Sequence, residues 1–293
     1  MKLFFILVTL IISRVTACGY MREVSRQEAL EKLPPEDLFP HLVDTISRRQ
    51  ARVTHNPQQE KKFTITSADG QSYISQLITM NSTCDRWAAE QETGIMDWQS
   101  LLIGTLSTGA VIHCIDESHA GRAHRMAISD DGSRVLLLTD ALLYTITLND
   151  KGHGEHRKVR RLLSPGPHNV LSLWPTGDYC ITNERGNNDI VISPTVWGEY
   201  DSWGTHIISV LGGRPIQHVC IGHDGQQYVV AQEGAWSIIQ CGLAKDLVEK
   251  TFRYLYEPAA TRVCRSWNPG KFLLFTQNTI QEIGVCFEDD DDM

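Results

Sequence analysis

The sequence is poor in the features that announce chemistry. Its 293 residues contain no GxSxG, no Walker loop, no HExxH and, despite eight cysteines, no CxxC pair. The usual local frames for a nucleophile, a phosphate, a catalytic zinc or a redox couple are therefore missing. It has no basic surplus either, with 27 Lys and Arg against 35 Asp and Glu and a net charge of -8, which argues against nucleic acid as a partner. No apolar run is long enough to cross a bilayer: Leu3 to Ile12 is about half the roughly 20 residues that a spanning helix needs. The stretch HGEH offers His153, Glu155 and His156, but on a loop these side chains are not held to one face. No catalytic residue, metal ligand or cofactor is therefore assigned.

What is present begins at the first residues. MKLFFILVTLIIS sets Lys2 before a short apolar run, and Val15, Thr16 and Ala17 precede Cys18, which is the layout of an export signal comprising residues 1–17. Val15-Thr16-Ala17-Cys18 resembles a bacterial lipobox. The resemblance implies a cell-envelope lipoprotein, periplasmic or at the surface, whose only hold on a membrane is a lipid anchor on Cys18. Arg14 departs from that pattern, and simple secretion is the alternative. Seven further cysteines, Cys84, Cys114, Cys180, Cys220, Cys241, Cys264 and Cys286, are widely spaced and mostly set in apolar runs, where Cys behaves as a small buried hydrophobe. Asn81 in NST is a glycan acceptor only in a eukaryotic host.

The middle of the chain repeats. Gly132, Gly177, Gly225 and Gly270 recur at intervals of about 45–48 residues. Each follows an apolar segment and a polar or Pro-containing turn, as in ISDDGSRVLLL and VCIGHDGQQYVVA. Gly supplies the positive φ that a tight turn needs, and the runs after it (RVLLLT, DYCIT, QYVVA, KFLLFT) are rich in strand-forming residues. FTITSADGQSYIS, at Gly70, is an earlier copy whose larger spacing implies a polar, helix-tolerant insertion around STCDRWAAEQETG. A hairpin cannot bury its own face, so units at this period stack or close into a ring. The units resemble WD40 repeats, although none ends in Trp-Asp or opens with Gly-His. The resemblance implies an all-β chain, a β-propeller over residues 59–287 with about five four-stranded blades, or six if Asp97 to Ile115 hides a degenerate one. A stacked sandwich or another propeller family is the alternative.

Residues 18–58 read as a helical segment. SRQE, Ser25 to Glu28, is a capping box. A second helix is expected from Asp37, with Leu38, Leu42, Val43 and Ile46 on one face. The run from Pro35 to Ile46 resembles the first helix of an F-box, with Pro35, Glu36, Asp37, Leu38, Leu42 and Val43 on the family pattern. That resemblance implies a host-directed adaptor of a ubiquitin ligase. Pro34 stands where the family has Leu, and KKFTIT at Lys61 leaves little room for further F-box helices, so a helix strapped against the ring is the simpler reading.

Three large rings, Trp197, Tyr200 and Trp203, crowd the connection SPTVWGEYDSWGTH. Rigidly mounted loop aromatics suit recognition of a protein partner, although locking neighbouring blades together would also use them. The expectation is an exported, non-catalytic, monomeric propeller scaffold that binds other proteins and no nucleic acid. A propeller hydrolase, with acids and His converging at the axis, is a further alternative. The last six residues, EDDDDM at 288–293, repel one another and are expected to be a disordered tail.

Overall fold

RVLLLT, residues 134–139, is apolar at successive positions, so a strand there presents an apolar row to each side and needs cover on both faces. The computed structural model meets this need with six four-stranded antiparallel sheets. It describes residues 17–40, 42–48, 51–58, 62–67, 70–83, 85–92, 99–105, 111–116, 123–139, 142–149, 154–161, 170–183, 189–195, 206–210, 214–240, 250–255 and 260–287. The chain opens with β1 (Ala17–Val24), α1 (Arg26–Lys32) and α2 (Pro35–Leu38). Blade 1 is β2 (Thr45–Arg48), β3 (Ala51–Asn56), β4 (Lys62–Thr66) and β5 (Ser72–Ser75). Blade 2 is β6 (Ile78–Met80), β7 (Arg86–Glu92), β8 (Gln99–Thr105) and β9 (Val111–Asp116). Blade 3 is β10 (Ala123–Ile128), β11 (Arg134–Thr139), β12 (Leu142–Leu148) and β13 (Gly154–Arg161). Blade 4 is β14 (Leu171–Leu173), β15 (Tyr179–Asn183), β16 (Asp189–Pro194) and β17 (His206–Ser209). Blade 5 is β18 (Ile216–Ile221), β19 (Gln227–Gln232), β20 (Ala235–Gln240) and β21 (Lys250–Leu255). Blade 6 joins β22 (Arg262–Arg265), β23 (Lys271–Phe275) and β24 (Ile280–Phe287) to β1, which pairs antiparallel with β24 from Ala17 opposite Phe287 to Val24 opposite Ile280.

Successive side chains of the second strands divide between two interfaces. In β19, Tyr228 and Val230 pack with blade 4 while Val229 and Ala231 pack with blade 6. In β23, Phe272 and Leu274 face blade 5 while Leu273 and Phe275 meet the helical segment. Five neighbouring pairs of blades thus share apolar cores of sheet on sheet. The free face of blade 6 is covered differently. Ala29, Leu33 and Leu38 of the helical segment, with Leu42 and Val43 beside them, pack on Cys264, Leu273, Phe275 and Ile280, and Phe39 enters the core shared by blades 1 and 2.

The sheets number six, the larger of the two counts the repeats allowed, and the extra blade begins before Asp97. The turn at Gly70 joins β4 to β5, whereas those at Gly132, Gly177, Gly225 and Gly270 join the first and second strands of their blades. In blade 2 the first link carries no glycine: Asn81 bridges it, its N–H bonding to Arg86 O at 3.1 Å and its Oδ1 accepting from Arg86 N at 2.9 Å. Residues 86–92, expected to be part of a helix-tolerant insertion, form strand β7.

The expected second helix also ends early. Ser25 caps α1 as anticipated, accepting from Glu28 N at 3.1 Å, but α2 stops at Leu38 and Ile46 lies in β2. Pro40 disfavours helical backbone at the residue before it, and Phe39 is extended at ψ 138.

Two features fix the ring. Arg86 Nη1 donates to Gly132 O at 3.1 Å, Arg134 Nη1 to Gly177 O at 2.8 Å and Trp174 Nε1 to Gly225 O at 2.8 Å, each reaching from one blade to the turn of the next. Glu282, fully buried in β24, ties β1 to its sheet. It pairs with Arg22 at 3.2 Å and accepts from Tyr20 Oη at 3.3 Å, Ser266 Oγ at 2.5 Å and Asn268 Nδ2 at 2.6 Å.

Both features make testable predictions. Gly225 has φ +68 and no room for a Cβ against Trp174, whereas Gly70, at φ +84, faces open space. Gly70→Ala should cost about 1 kcal/mol of backbone strain in denaturant unfolding, and Gly225→Ala should add a steric penalty of about 1–3 kcal/mol. Burial raises the pKa of Glu282, but the bonds from Ser266 and Asn268 and the charges of Arg22 and Lys271 outweigh it and hold the group below its ordinary value. A depressed carboxylate contributes stability above its unfolded pKa, about 4.3, and loses it as pH falls through the folded value. Glu282→Gln should therefore lower stability at pH 7 and flatten the acid limb of the unfolding profile.

Candidate functional site

In blades 2 to 6 the first strands β6, β10, β14, β18 and β22 follow one another side by side and line the axis. Several carry polar residues unusual for so short a strand: HRMAI in β10, IQHVCI in β18 and RVCR in β22. The chain direction sorts them by height. Arg125, His218 and Arg262 lie where their strands begin; Asp130, His223 and Arg265 lie at or beside the first turns.

At the turn end, Arg265 and Asp130 form a bidentate pair, Nη1 to Oδ2 at 3.1 Å and Nη2 to Oδ1 at 3.0 Å. Blades 3 and 6 stand opposite one another in a ring of six, so this pair spans the axis. Asp130 is held on its other side by Asn81 Nδ2, which donates to its carbonyl at 3.2 Å, and by its own N–H, which donates to Pro175 O at 3.0 Å. His223 Nε2 lies 3.0 Å from Ser266 O. Burial opposes charge on Arg265, but the bond to Asp130 outweighs it and the guanidinium is held above its ordinary value.

Toward the other end, α2 brings Asp37 to Arg262. Arg262 donates to Asp37 Oδ1 at 3.1 Å and to the carbonyls of Asp37, Phe39 and Glu36 at 2.8, 3.0 and 3.3 Å. Burial nevertheless raises the Asp37 pKa, more than Arg262 and Arg265 lower it. His218 is pushed down to about 4 by burial and then by the charges of Arg125 and Arg262, against a hydrogen bond to the Ala260 carbonyl. It is therefore neutral at physiological pH. Cys220 and Cys264 are free thiols. Burial pushes Cys220 up to about 12 and Cys264 well above its ordinary value, which leaves them protonated and poorly nucleophilic.

Acids and histidines thus do converge near the axis, but both carboxylates are engaged by guanidinium groups. Among the described residues no cluster of three His, Cys, Asp or Glu is arranged to hold a metal. A cleft of about 340 Å³ opens beside the strap, lined by Glu23, Arg26, Leu42, Phe275, Thr276 and Asn278 among others.

The residues singled out from sequence are scattered. Trp197, Tyr200 and Trp203 lie outside the described residues, as do His153, the segment 1–16 and the acidic tail. Cys18 is the second residue of β1, opposite Cys286 in the register. Pro35 and Leu38 belong to α2, Leu42 and Val43 to the core against blade 6, and Ile46 to the core between blades 1 and 2. Asn81 is buried and its amide is fully used, Nδ2 donating to Thr83 Oγ1 at 3.0 Å as well as to Asp130. Sequence reasoning missed Arg125, Arg262 and Arg265. The available signal was arginine inside short strands that must face other strands.

No protein-family model matches the chain, and no curated protein matches it by sequence. Solved structures do. Hsv2 of Kluyvelomyces marxianus superposes with a TM-score of 0.52 at 11% identity, over 79% of this chain and 71% of that one. A chain of the mitotic checkpoint complex gives 0.55 at 7% identity, over 82% and 74%. The Cps50 (Swd1) β-propeller domain of Myceliophteria thermophila gives 0.52 at 12% identity, over 81% and 80%. Identities this low bear on fold alone, and the fold they share is the WD40-type β-propeller. This chain is a six-bladed ring of that kind.

The cross-axis pair predicts non-additivity. Asp130→Asn and Arg265→Gln should each lower stability by about 1–3 kcal/mol, and the double variant should lose less than the sum of the two by about 0.5–3 kcal/mol in a double-mutant cycle.

Proposed function

We propose that the chain is an exported, non-catalytic propeller scaffold that binds a protein partner through loops of the ring. The observation that carries this reading is the state of the axis. The position where a propeller enzyme would keep reactive acids holds Asp37 and Asp130 in ion pairs with Arg262 and Arg265, beside protonated thiols and a neutral His218. Groups so engaged hold a ring together and leave no activated base or nucleophile among them. The fold shared with WD40 propellers supports a protein-interaction scaffold in general terms. Recognition is assigned to Trp197, Tyr200 and Trp203 in the link between β16 and β17, and membrane attachment to a lipid on Cys18. The adaptor alternative gains no support from residues 35–46, because Leu38, Leu42, Val43 and Ile46 are spent on the ring's own packing.

Two measurements test the proposal. Alanine at Trp197, Tyr200 and Trp203 together should reduce capture of the partner at least tenfold while thermal unfolding stays within a few degrees of wild type. Unchanged capture removes the recognition assignment. Mass spectrometry of the mature N-terminus should find an acylated Cys18; an unmodified Cys18 leaves secretion, and an intact residue 1 refutes export.

A further inference from the structure

The rim of the ring carries one strand unlike the others. Because β10 lines the axis, β13, at the other end of the blade 3 sheet, is its outermost strand, and among the described residues no strand pairs with its outer side. Its sequence, GEHRKVRR, holds Arg157, Lys158, Arg160 and Arg161 against a single acid, Glu155, in a chain whose net charge is -8. The end strands of blades 2, 4, 5 and 6, namely β9, β17, β21 and β1, carry at most two Lys or Arg each, and those of blade 1, β2 and β5, at most one. Nor does the blade's own register balance the charge: Ile146, Thr145, Leu143 and Leu142 stand opposite Arg157, Lys158, Arg160 and Arg161, so none of the four has an acid as its cross-strand neighbour. The adjoining rim strands β9 and β17 contribute one acid between them, Asp116. Four like charges within five positions lie inside a Debye length of one another and repel. Charge on an edge does keep sheets from pairing with each other, but that need is common to all six blades, and it leaves the concentration on this one unexplained.

We propose that β13 receives an extended acidic segment of the protein partner as an added strand of blade 3. This role for β13 rests on the scaffold function proposed above and names the chemistry of what the scaffold holds. Two properties of the edge select that occupant. Its open row of N–H and C=O groups is satisfied in register by another polypeptide backbone, which neither a lipid headgroup nor a nucleic acid supplies. Its residues also alternate between the two faces of the sheet. The register sets Lys158 and Arg160 on the face of Leu143, toward blade 4, and Arg157 and Arg161 on the face of Ile146, toward blade 2. An added strand with acids on both faces therefore meets cations on each, in the cross-strand positions where opposite charges attract. The same charges repel a second copy of β13, so the edge admits an acidic strand and refuses its own kind.

The test uses the full chain and a fluorescent peptide of Glu and Thr with acids on both faces when extended. Its arms are the Gln counterpart, a counterpart N-methylated along one backbone edge, and phosphatidylcholine vesicles containing phosphatidylserine. Fluorescence anisotropy should show the Glu peptide binding and weakening with salt. Affinity should fall about tenfold in the double variants Lys158→Gln with Arg160→Gln and Arg157→Gln with Arg161→Gln, and should be largely kept when the three arginines are replaced by Lys. Thermal unfolding should be unchanged in all of them, and hydrogen exchange of the β13 amides should slow when the peptide binds. Equal binding of the Glu and Gln peptides, undiminished binding of the N-methylated one, or indifference to both double variants overturns the proposal. Protection of β13 by the vesicles and not by the peptide overturns it in favour of a membrane surface. Self-association that blocks the peptide and is lost on deleting residues 288–293 overturns it in favour of the acidic tail of a second copy. Partner capture that ignores the β13 variants and still depends on Trp197, Tyr200 and Trp203 sinks the β13 assignment alone. The reverse outcome sinks the assignment of recognition to those aromatics and leaves β13 as the docking edge.

Discussion

Everything in this molecule follows from sheets that are apolar on both faces. Residues such as Tyr228 and Val229, adjacent in sequence and both buried, point to opposite interfaces, and no sheet of this kind is stable with one face in water. A ring satisfies all the faces at once, but only when it is closed. Closure here takes two separate devices. Strand β1 completes blade 6 from the far end of the chain, and the strap of α1 and α2 fills the last inter-blade space with Ala29, Leu33 and Leu38 instead of a sheet. Chain ends and middle are therefore thermodynamically inseparable: without β1, β24 would be an open edge and buried Glu282 would lose Arg22 and Tyr20. Cleavage before Cys18 would be compatible with closure, because it removes only Ala17 from β1.

How much of this could be read from residues alone depends on which force specified each part. The turns at Gly132, Gly177, Gly225 and Gly270 were legible because a positive φ leaves few alternatives to glycine. The same marker misled at Gly70, where an equally tight turn joins the last two strands of a blade instead of the first two. Blade 2 was hidden because its equivalent turn is bridged by Asn81, whose N–H and side-chain Oδ1 make the two bonds to Arg86 that Ser129, through its N–H and Oγ, makes to Arg134 in blade 3. Measured at this bridging position, Asn81, Ser129, Trp174, Gly222 and Ser266 keep a regular spacing of about 44–48 residues. The strap's apolar residues were found, but their helical spacing was misleading. Pro40 interrupts the helix, and the same apolar positions are buried by an extended chain instead.

The axis was illegible for a different reason. Local pattern assigns Asp130 to a turn and Arg265 to a strand end, and both assignments are right. That the two meet depends on blades 3 and 6 facing one another, a consequence of the number of blades rather than of any spacing. With five blades no two stand diametrically opposed. The blade count, uncertain in the sequence, is therefore what decides the electrostatics of the channel.

The two ion pairs at the axis carry different costs. Asp130 is partly exposed and binds Arg265 through both oxygens, a geometry in which charge-assisted bonds are strong. Asp37 contributes one recorded oxygen and sits where burial outweighs the attraction of its arginines. A pair whose acid is disfavoured in its ionised form adds little stability. Its geometric effect is larger, because Arg262 also gathers the carbonyls of Glu36, Asp37 and Phe39, satisfying acceptors exposed where the short helix ends. The arginine thus fixes the strap to blade 6 chiefly through neutral backbone groups. The strap carries the apolar cover for that blade, so its position fixes the closure of the ring, and closure sets the distance across the axis at which Asp130 and Arg265 meet.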